Sequence, residues 1–403
     1  MKPASQLLVI SLVAVAMARP AKAGNDVRIG YAEALASARV HAPTLAIARG
    51  REAVASADAR AVGPYPNPVV SAGTSAQTAR MSFGATIPLV IFGQISAATR
   101  AGRAEAETVA VDSEVAANEV RAGVAHAFVG LWLAERTWEA RADAAGVTRR
   151  LEDAVRGRVE VGSAPELEVL RARAERLRAD ADARAASDFI SAAAADLSRW
   201  IGPPSTALRA DGEPSIPAEP PAFNVLAAKV PNAPSVRREQ SDAHAAEARA
   251  DRERALVRPA LILDVGVDLY DPTLPAPNYR GQLGLEVPLF SQRAWLIERE
   301  TRSANVARLR ARGEATTRLS DLSVAYETFV ALTHRLKALE DGVVPAAEAA
   351  AKATEESYTL GRATLVAVLD SERARIDARL SLLETKAARA NGWIDIERAT
   401  GER

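Results

Sequence analysis

The chain is written twice, and that constrains its fold more than any other feature. Residues 37–76 and 228–267 align at an offset of 191, with His41-Ala42-Pro43 falling on Asn232-Ala233-Pro234 and Asn67-Pro68-Val69-Val70 on Arg258-Pro259-Ala260-Leu261. Ile87-Pro88-Leu89 matches Val287-Pro288-Leu289 at an offset of 200, and Glu160-Val161-Gly162-Ser163 matches Thr359-Leu360-Gly361-Arg362 at 199. Whatever one half folds into, the other must fold into as well. Six of the 22 prolines lie within residues 203–221 and read as an extended linker. The expected division is repeat 1 over 28–202, linker 203–221 and repeat 2 over 222–400, all within one duplicated domain, 24–403.

Residues 1–23 read as an export leader. Lys2 precedes an apolar run from Leu7 to Ala18, and Ala21-Lys22-Ala23 supplies small residues at a cleavage site. The run is too short to span a bilayer well. Removal of the leader leaves 48 basic against 51 acidic residues. That balance argues against a nucleic-acid partner, whose affinity comes from a basic excess. The sequence has no cysteine and four scattered histidines, His41, His126, His244 and His334. Disulfides and thiolate metal sites are therefore excluded, and neither a metal centre nor a cofactor is expected. No phosphate loop or Ser/His/Asp set stands out, so no catalytic residue is assigned and the chain is not expected to be an enzyme.

Each half reads as helix, two strands, long helix, tight turn, helix. In 259–270, Leu261, Leu263, Val265, Val267 and Leu269 alternate with Asp264, Gly266 and Asp268. In 281–289, Leu283, Leu285, Val287 and Leu289 alternate with Gln282, Gly284 and Glu286. In the first half, Phe83, Ala85, Ile87 and Leu89 oppose Ser82, Gly84 and Thr86. One wholly apolar face and one polar face suit a membrane strand between lipid and lumen, with Asp264, Asp268 and Glu286 toward the lumen. Tyr65, Phe83, Phe92, Tyr270, Tyr279, Phe290 and Trp295 lie at or near strand ends, as an interfacial girdle requires. Four strands cannot close a barrel, and open edges are forbidden in lipid, so several chains must pool them.

The helices are long. Residues 94–161 contain little to stop a helix, which would run roughly 100 Å. Residues 164–201, 232–257, 292–360 and 364–398 complete the set, with the shorter helices stacking end to end along the long ones. Pro345 should bend or break the second long helix, and Gly146, its counterpart, the first.

This order of leader, helix, strand pair, long helix, glycine turn and helix, duplicated, resembles the TolC-type outer-membrane factors of bacterial efflux systems. The segments Ile87-Pro88-Leu89 and Val287-Pro288-Leu289-Phe290, and the turns around Gly162 and Gly361, carry the likeness over about residues 28–400. The resemblance implies a mainly α fold with a β-barrel: a trimeric helical barrel in the periplasm and a shared 12-stranded barrel in the outer membrane, four strands per chain. It implies a passive exit duct working with an inner-membrane pump and a periplasmic adaptor. The adaptor would dock at Val161, Gly162, Ser163, Leu360, Gly361 and Arg362. Asp370, on the returning helix, would form a carboxylate ring at the periplasmic gate. Where the family often has two aspartates three apart, this chain has Ala367 and Asp370, and it lacks the N-terminal cysteine on which many members carry a lipid. The alternative from another class is a periplasmic helical adaptor or coiled-coil rod, which leaves the strands unexplained.

Overall fold

A computed structural model describes residues 27–74, 76, 80–202, 207–270, 277–290 and 292–401. The expected leader and four residues of the proline-rich segment lie outside these. The chain opens with strand β1 (Val27–Gly30) and helices α1 (Tyr31–His41) and α2 (Pro43–Ala61). A hairpin of β2 (Val69–Gly73) and β3 (Met81–Leu89) leads into α3 (Gln94–Glu160), which returns as α4 (Glu166–Ile201). Strand β4 (Leu208–Asp211) and the short helix α5 (Phe223–Ala227) precede the second copy. That copy comprises α6 (Pro234–Ala255), β5 (Ala260–Leu269), β6 (Asn278–Glu286), α7 (Ala294–Ala338), α8 (Val344–Thr359) and α9 (Leu365–Thr400).

The duplication extends to backbone geometry. Pro43 and Pro234 both occupy the first turn of a helix, where a missing N–H removes no hydrogen bond, after the extended residues Ala42 and Ala233. The offsets 191 and 200 carry the hairpin pair Val69–Thr86 onto Ala260–Glu286, which is an observed pair. Gly93 and Arg293, 200 residues apart, both take left-handed backbone (φ 88° and 50°) just before a long helix. The long helices therefore leave the sheet through the same turn.

The strands form one antiparallel sheet in the order β2-β3-β5-β6. Its register sorts the two faces. Leu89/Leu261/Leu285, Ile87/Leu263/Leu283 and Ala72/Phe83/Val267/Tyr279 line one, and Thr86/Asp264/Gln282 and Ser82/Asp268/Asn278 the other. Strand β6 begins earlier and ends earlier than the alternation suggested, which leaves Val287 and Leu289 beyond it. All seven girdle aromatics are exposed in the single chain.

Helix α3 runs unbroken for 67 residues, about 100 Å. This corrects the expected break at Gly146. Glycine keeps its N–H, so it weakens a helix without interrupting the hydrogen-bond ladder. Pro345 does interrupt its helix. Having no N–H, it cannot bond the turn before it, and a π turn at Leu339–Val343 absorbs the mismatch between α7 and α8.

The main core lies midway along α3, where Phe128, Leu131 and Trp132 meet α1, Leu197 of α4 and Ile394 of α9. A second cluster joins α5, α7 and α9 through Leu226, Phe329 and Trp393. Strand β4, inside the proline-rich segment, pairs in parallel with β1 and is pinned to α3, since the Ala210 N–H donates to the buried Glu135 carboxylate at 3.1 Å.

Candidate sites along the channel

At the helical end, both turns close as Schellman caps. The Gly162 N–H donates to Val159 O (2.9 Å) and the Ser163 N–H to Arg158 O (2.8 Å). The Gly361 and Arg362 N–H groups bond Tyr358 O (2.9 Å) and Ser357 O (2.8 Å) in the same pattern. Gly162 and Gly361 have φ of +75° and +71° with open space where a side chain would start. The six residues expected at the docking tips are all exposed, and Val161 and Leu360 present bare apolar side chains.

The two tips are packed together within the chain, which the spacing of the glycines did not reveal. Tyr358 is buried with Val155, Ala172, Leu365 and Val368. The Arg158 guanidinium lies 4.5 Å from its ring centre and donates to its carbonyl at 3.2 Å, and the Tyr358 hydroxyl donates to Glu168 at 3.3 Å. Burial raises the Tyr358 phenol, helped by Glu168. Nothing in the sequence signals that Arg158 and Glu168 converge on Tyr358 from the other hairpin.

Asp370 directly follows Leu369 of this cluster and is exposed, with its carboxylate 3.5 Å from Arg373. Arg373 also grips Glu175 of α4 through two bonds of 2.6 and 3.0 Å. That hydrogen bonding holds the Glu175 carboxyl below its ordinary range. Further along, Asp143 of α3 receives Arg375 (3.2 Å) and Arg379 (2.9 Å) from α9, and Arg379 also holds Glu348 of α8. Arginine networks thus tie the second hairpin to the first over several turns.

At the sheet end, Asp264 and Asp268 share the polar face. Asp264 accepts from the Thr86 hydroxyl, and Asp268 pairs with Arg280 on the neighbouring strand at 2.7 Å. Glu286 ends β6 and is exposed. Arg280 was not singled out from the sequence, although an odd-placed cation in a period-2 strand was the available signal. It neutralises one of the expected lumen carboxylates.

A half-exposed sheet with one lipid-compatible face, standing on helices some 100 Å long, has the build of a channel-forming membrane protein. The family model described as outer membrane efflux protein matches residues 34–203 and 229–402, and the chain belongs to that family. It is an exit duct of the outer membrane, its helical barrel in the periplasm. The cobalt-zinc-cadmium resistance protein CzcC of Cupriavidus metallidurans is 22% identical over 331 residues, covering 81% of this chain and 78% of its own. In fold, the chain is similar to the outer membrane protein VceC of Vibrio cholerae (TM-score 0.74, 16% identity, 92% of this chain and 96% of that one). It is also similar to a membrane protein from Pseudomonas aeruginosa (TM-score 0.76, 18% identity, 92% and 93%).

Proposed function

We propose that three copies of the chain form the outer-membrane component of a tripartite efflux system. The observation that carries this is the sheet. Among the described residues it has one apolar face and two unpaired edges, β2 and β6, and lipid tolerates neither an open edge nor a lone four-stranded sheet. Three copies joined edge to edge give twelve strands, within the range of known barrels. The helices then form one continuous periplasmic tube. A helical rod offers no place for the sheet, so the rival reading falls.

In this assembly an inner-membrane pump supplies energy and a periplasmic adaptor docks at Val161, Gly162, Ser163, Leu360, Gly361 and Arg362. Asp370 stands at the periplasmic mouth as a threefold ring of carboxylates that attracts cations. Asp264, Asp268 and Glu286 line the barrel lumen, with Arg280 offsetting part of their charge. Divalent metal cations are the cargo to test first, on the likeness to a cobalt-zinc-cadmium resistance protein.

Light scattering and negative-stain imaging of detergent-extracted protein test the reading. The expected particles are trimeric tapered tubes longer than about 100 Å. Soluble monomers or thin rods would sink it. Cells lacking the protein should become more sensitive to cobalt, zinc or cadmium, and unchanged sensitivity would remove the metal cargo while leaving the duct.

A further inference from the structure

Where the sheet gives way to helices, the arginines divide into two sets. Those that face a neighbouring helix are matched by carboxylates. Arg249 of α6 reaches Glu105 of α3 at 3.5 Å and Glu300 of α7 at 2.9 Å, and Arg293 reaches Glu253 at 2.7 Å. Arg60, Arg100, Arg103 and Arg258 are exposed and, among the described residues, have no ion-pair partner. Arg254, also exposed, pairs with Asp251 at 2.7 Å. We propose that this second set forms a collar around the tube that binds the phosphate groups of anionic phospholipids in the periplasmic leaflet of the outer membrane. The inference rests on the assembly proposed above and adds a lipid partner to it.

The collar faces outward. Helix α3 meets the end of α2 closely: a side chain at Gly63 would begin 2.6 Å from Thr99 Oγ1, and one at Gly102 3.3 Å from Ala59 Cα. It meets α6 through Gln94, Glu105 and Thr108. At about 100° per residue these contacts leave a narrow open arc, which holds Ala98, and a wide one, which holds Arg100 and Arg103. In the wall of a closed tube the wide arc is the outer one, because neighbouring helices converge toward the lumen. On α6, Arg249 bridges both neighbours across the narrow arc, and Asp251, Arg254 and Arg258 project from the other side. Arg60 of α2 is the counterpart of Asp251, 191 residues earlier, with the opposite charge.

The band is confined to the membrane end. Arg258 lies two residues before β5, and Arg103, nine residues past Gln94, stands about 14 Å along α3. Beyond it the outward residues include Glu107 on α3 and Glu247 on α6, and the cationic run ends. On α7, Arg302 and Glu298 pair with each other at 2.7 Å and cancel. The collar therefore holds five cations against one carboxylate in each chain, fifteen against three in a trimer, although the chain without its leader is slightly acidic. On its membrane side lie the exposed Tyr65, Ile91 and Phe92. The Arg258 guanidinium donates to the Phe92 carbonyl at 2.7 Å, which ties collar to girdle. Apolar and aromatic side chains thus stand level with the acyl boundary, and arginines one layer further out, where the phosphates are. Guanidinium suits that partner, since its planar fork offers two parallel bonds to phosphate oxygens.

Native mass spectrometry of the detergent-extracted, full-length trimer tests the collar. Titrated with phosphatidylglycerol or with phosphatidylcholine, the trimer should retain the anionic lipid at least about five-fold more, the factor one arginine contributes near an anionic surface. Added salt should weaken that preference. The triple variant Arg100→Gln, Arg103→Gln, Arg254→Gln should lose it with trimers intact, whereas Arg150→Gln with Arg171→Gln, far along the helices from the sheet, should keep it. Equal retention of both lipids by the unaltered protein, or a preference indifferent to salt, would overturn the collar. So would a preference that survives the triple variant or is lost equally in the distant one. Displacement of the bound lipid by millimolar inorganic phosphate would also overturn it, by showing a site for free anions. Absence of any trimer from the unaltered protein would instead overturn the assembly beneath it.

Discussion

At the residue scale, the titrating group that matters was passed over because it fits no ligand spacing. His126, on α3, sits between Asn391 (2.9 Å from Nδ1) and Asp395 (3.3 Å from Nε2) on α9. An imidazolium donates from both nitrogens, and the hydrogen bond to Asp395 raises the pKa above its ordinary value, against partial burial. The neighbouring charges are already matched, with Arg121 bound to Glu397 and Arg398 to Glu119. Burial likewise raises the Glu135 carboxyl that holds β4. Raised folded-state values give stability that is fully present below the unfolded pKa and lost as pH rises through the folded one. For His126 that loss begins above about 6.5. Melting temperature should therefore fall as pH rises past about 6.5, and His126→Gln should flatten that slope; an unchanged slope would assign it to other groups. Asp370→Ala should raise leak conductance and weaken block by multivalent cations in single-channel recordings. Identical traces would leave Asp370 as no more than the partner of Arg373.

At the element scale, long periodic segments were legible and short or long-range ones were not. The alternation at 259–270 and the uninterrupted run from residue 94 each carry their own signal, repeated a second time for confirmation. Strands β1 and β4 carry none, since each is four residues long and its partner is about 180 residues away. The break assigned to Gly146 failed because glycine lowers helix propensity without removing a donor, whereas Pro345 removes one. Another glycine has a packing reason that no local pattern shows. A side chain at Gly123 would begin 2.6 Å from the Trp200 ring, where α3 and α4 cross. Gly123→Leu should cost about 1–3 kcal/mol by overpacking and lower the melting temperature by several degrees, while Gly130→Leu, which meets open space in the chain, should cost less. Equal losses would mean the ring simply moves aside. At the tips, Gly162→Asp with Gly361→Asp forces side chains onto left-handed backbone and puts charge on the proposed docking surface. Export should be lost with trimers still in the membrane, and full export would remove these turns from docking.

At the scale of the whole molecule, the sequence disclosed the architecture but not which surfaces close against each other, because one chain contains only half of every contact between copies. In a single chain the aromatic girdle is bare, the apolar sheet face is half to fully exposed, and Ile47 and Val54 of α2 stand in solvent. They differ in what must cover them: lipid for the first two, protein for the third. That difference can be measured by separating the sheet from the rod. The helices meet one another through three cores that contain no strand of the four-stranded sheet. A variant with residues 66–91 and 259–291 each replaced by a short Gly/Ser linker should therefore keep its helical circular dichroism. It should leave the membrane fraction on extraction with urea, because nothing apolar enough to hold it there remains, and among the described residues no helix is long and apolar enough to cross a membrane. The full-length protein should resist the same extraction, because the twelve strands of the proposed trimer would leave no free edge for water or urea to attack. If the full-length chain also washes off, the sheet is not in lipid and its apolar face must be covered by protein. If the strandless variant stays, the helices themselves bind the membrane, and the division of labour between sheet and rod is wrong.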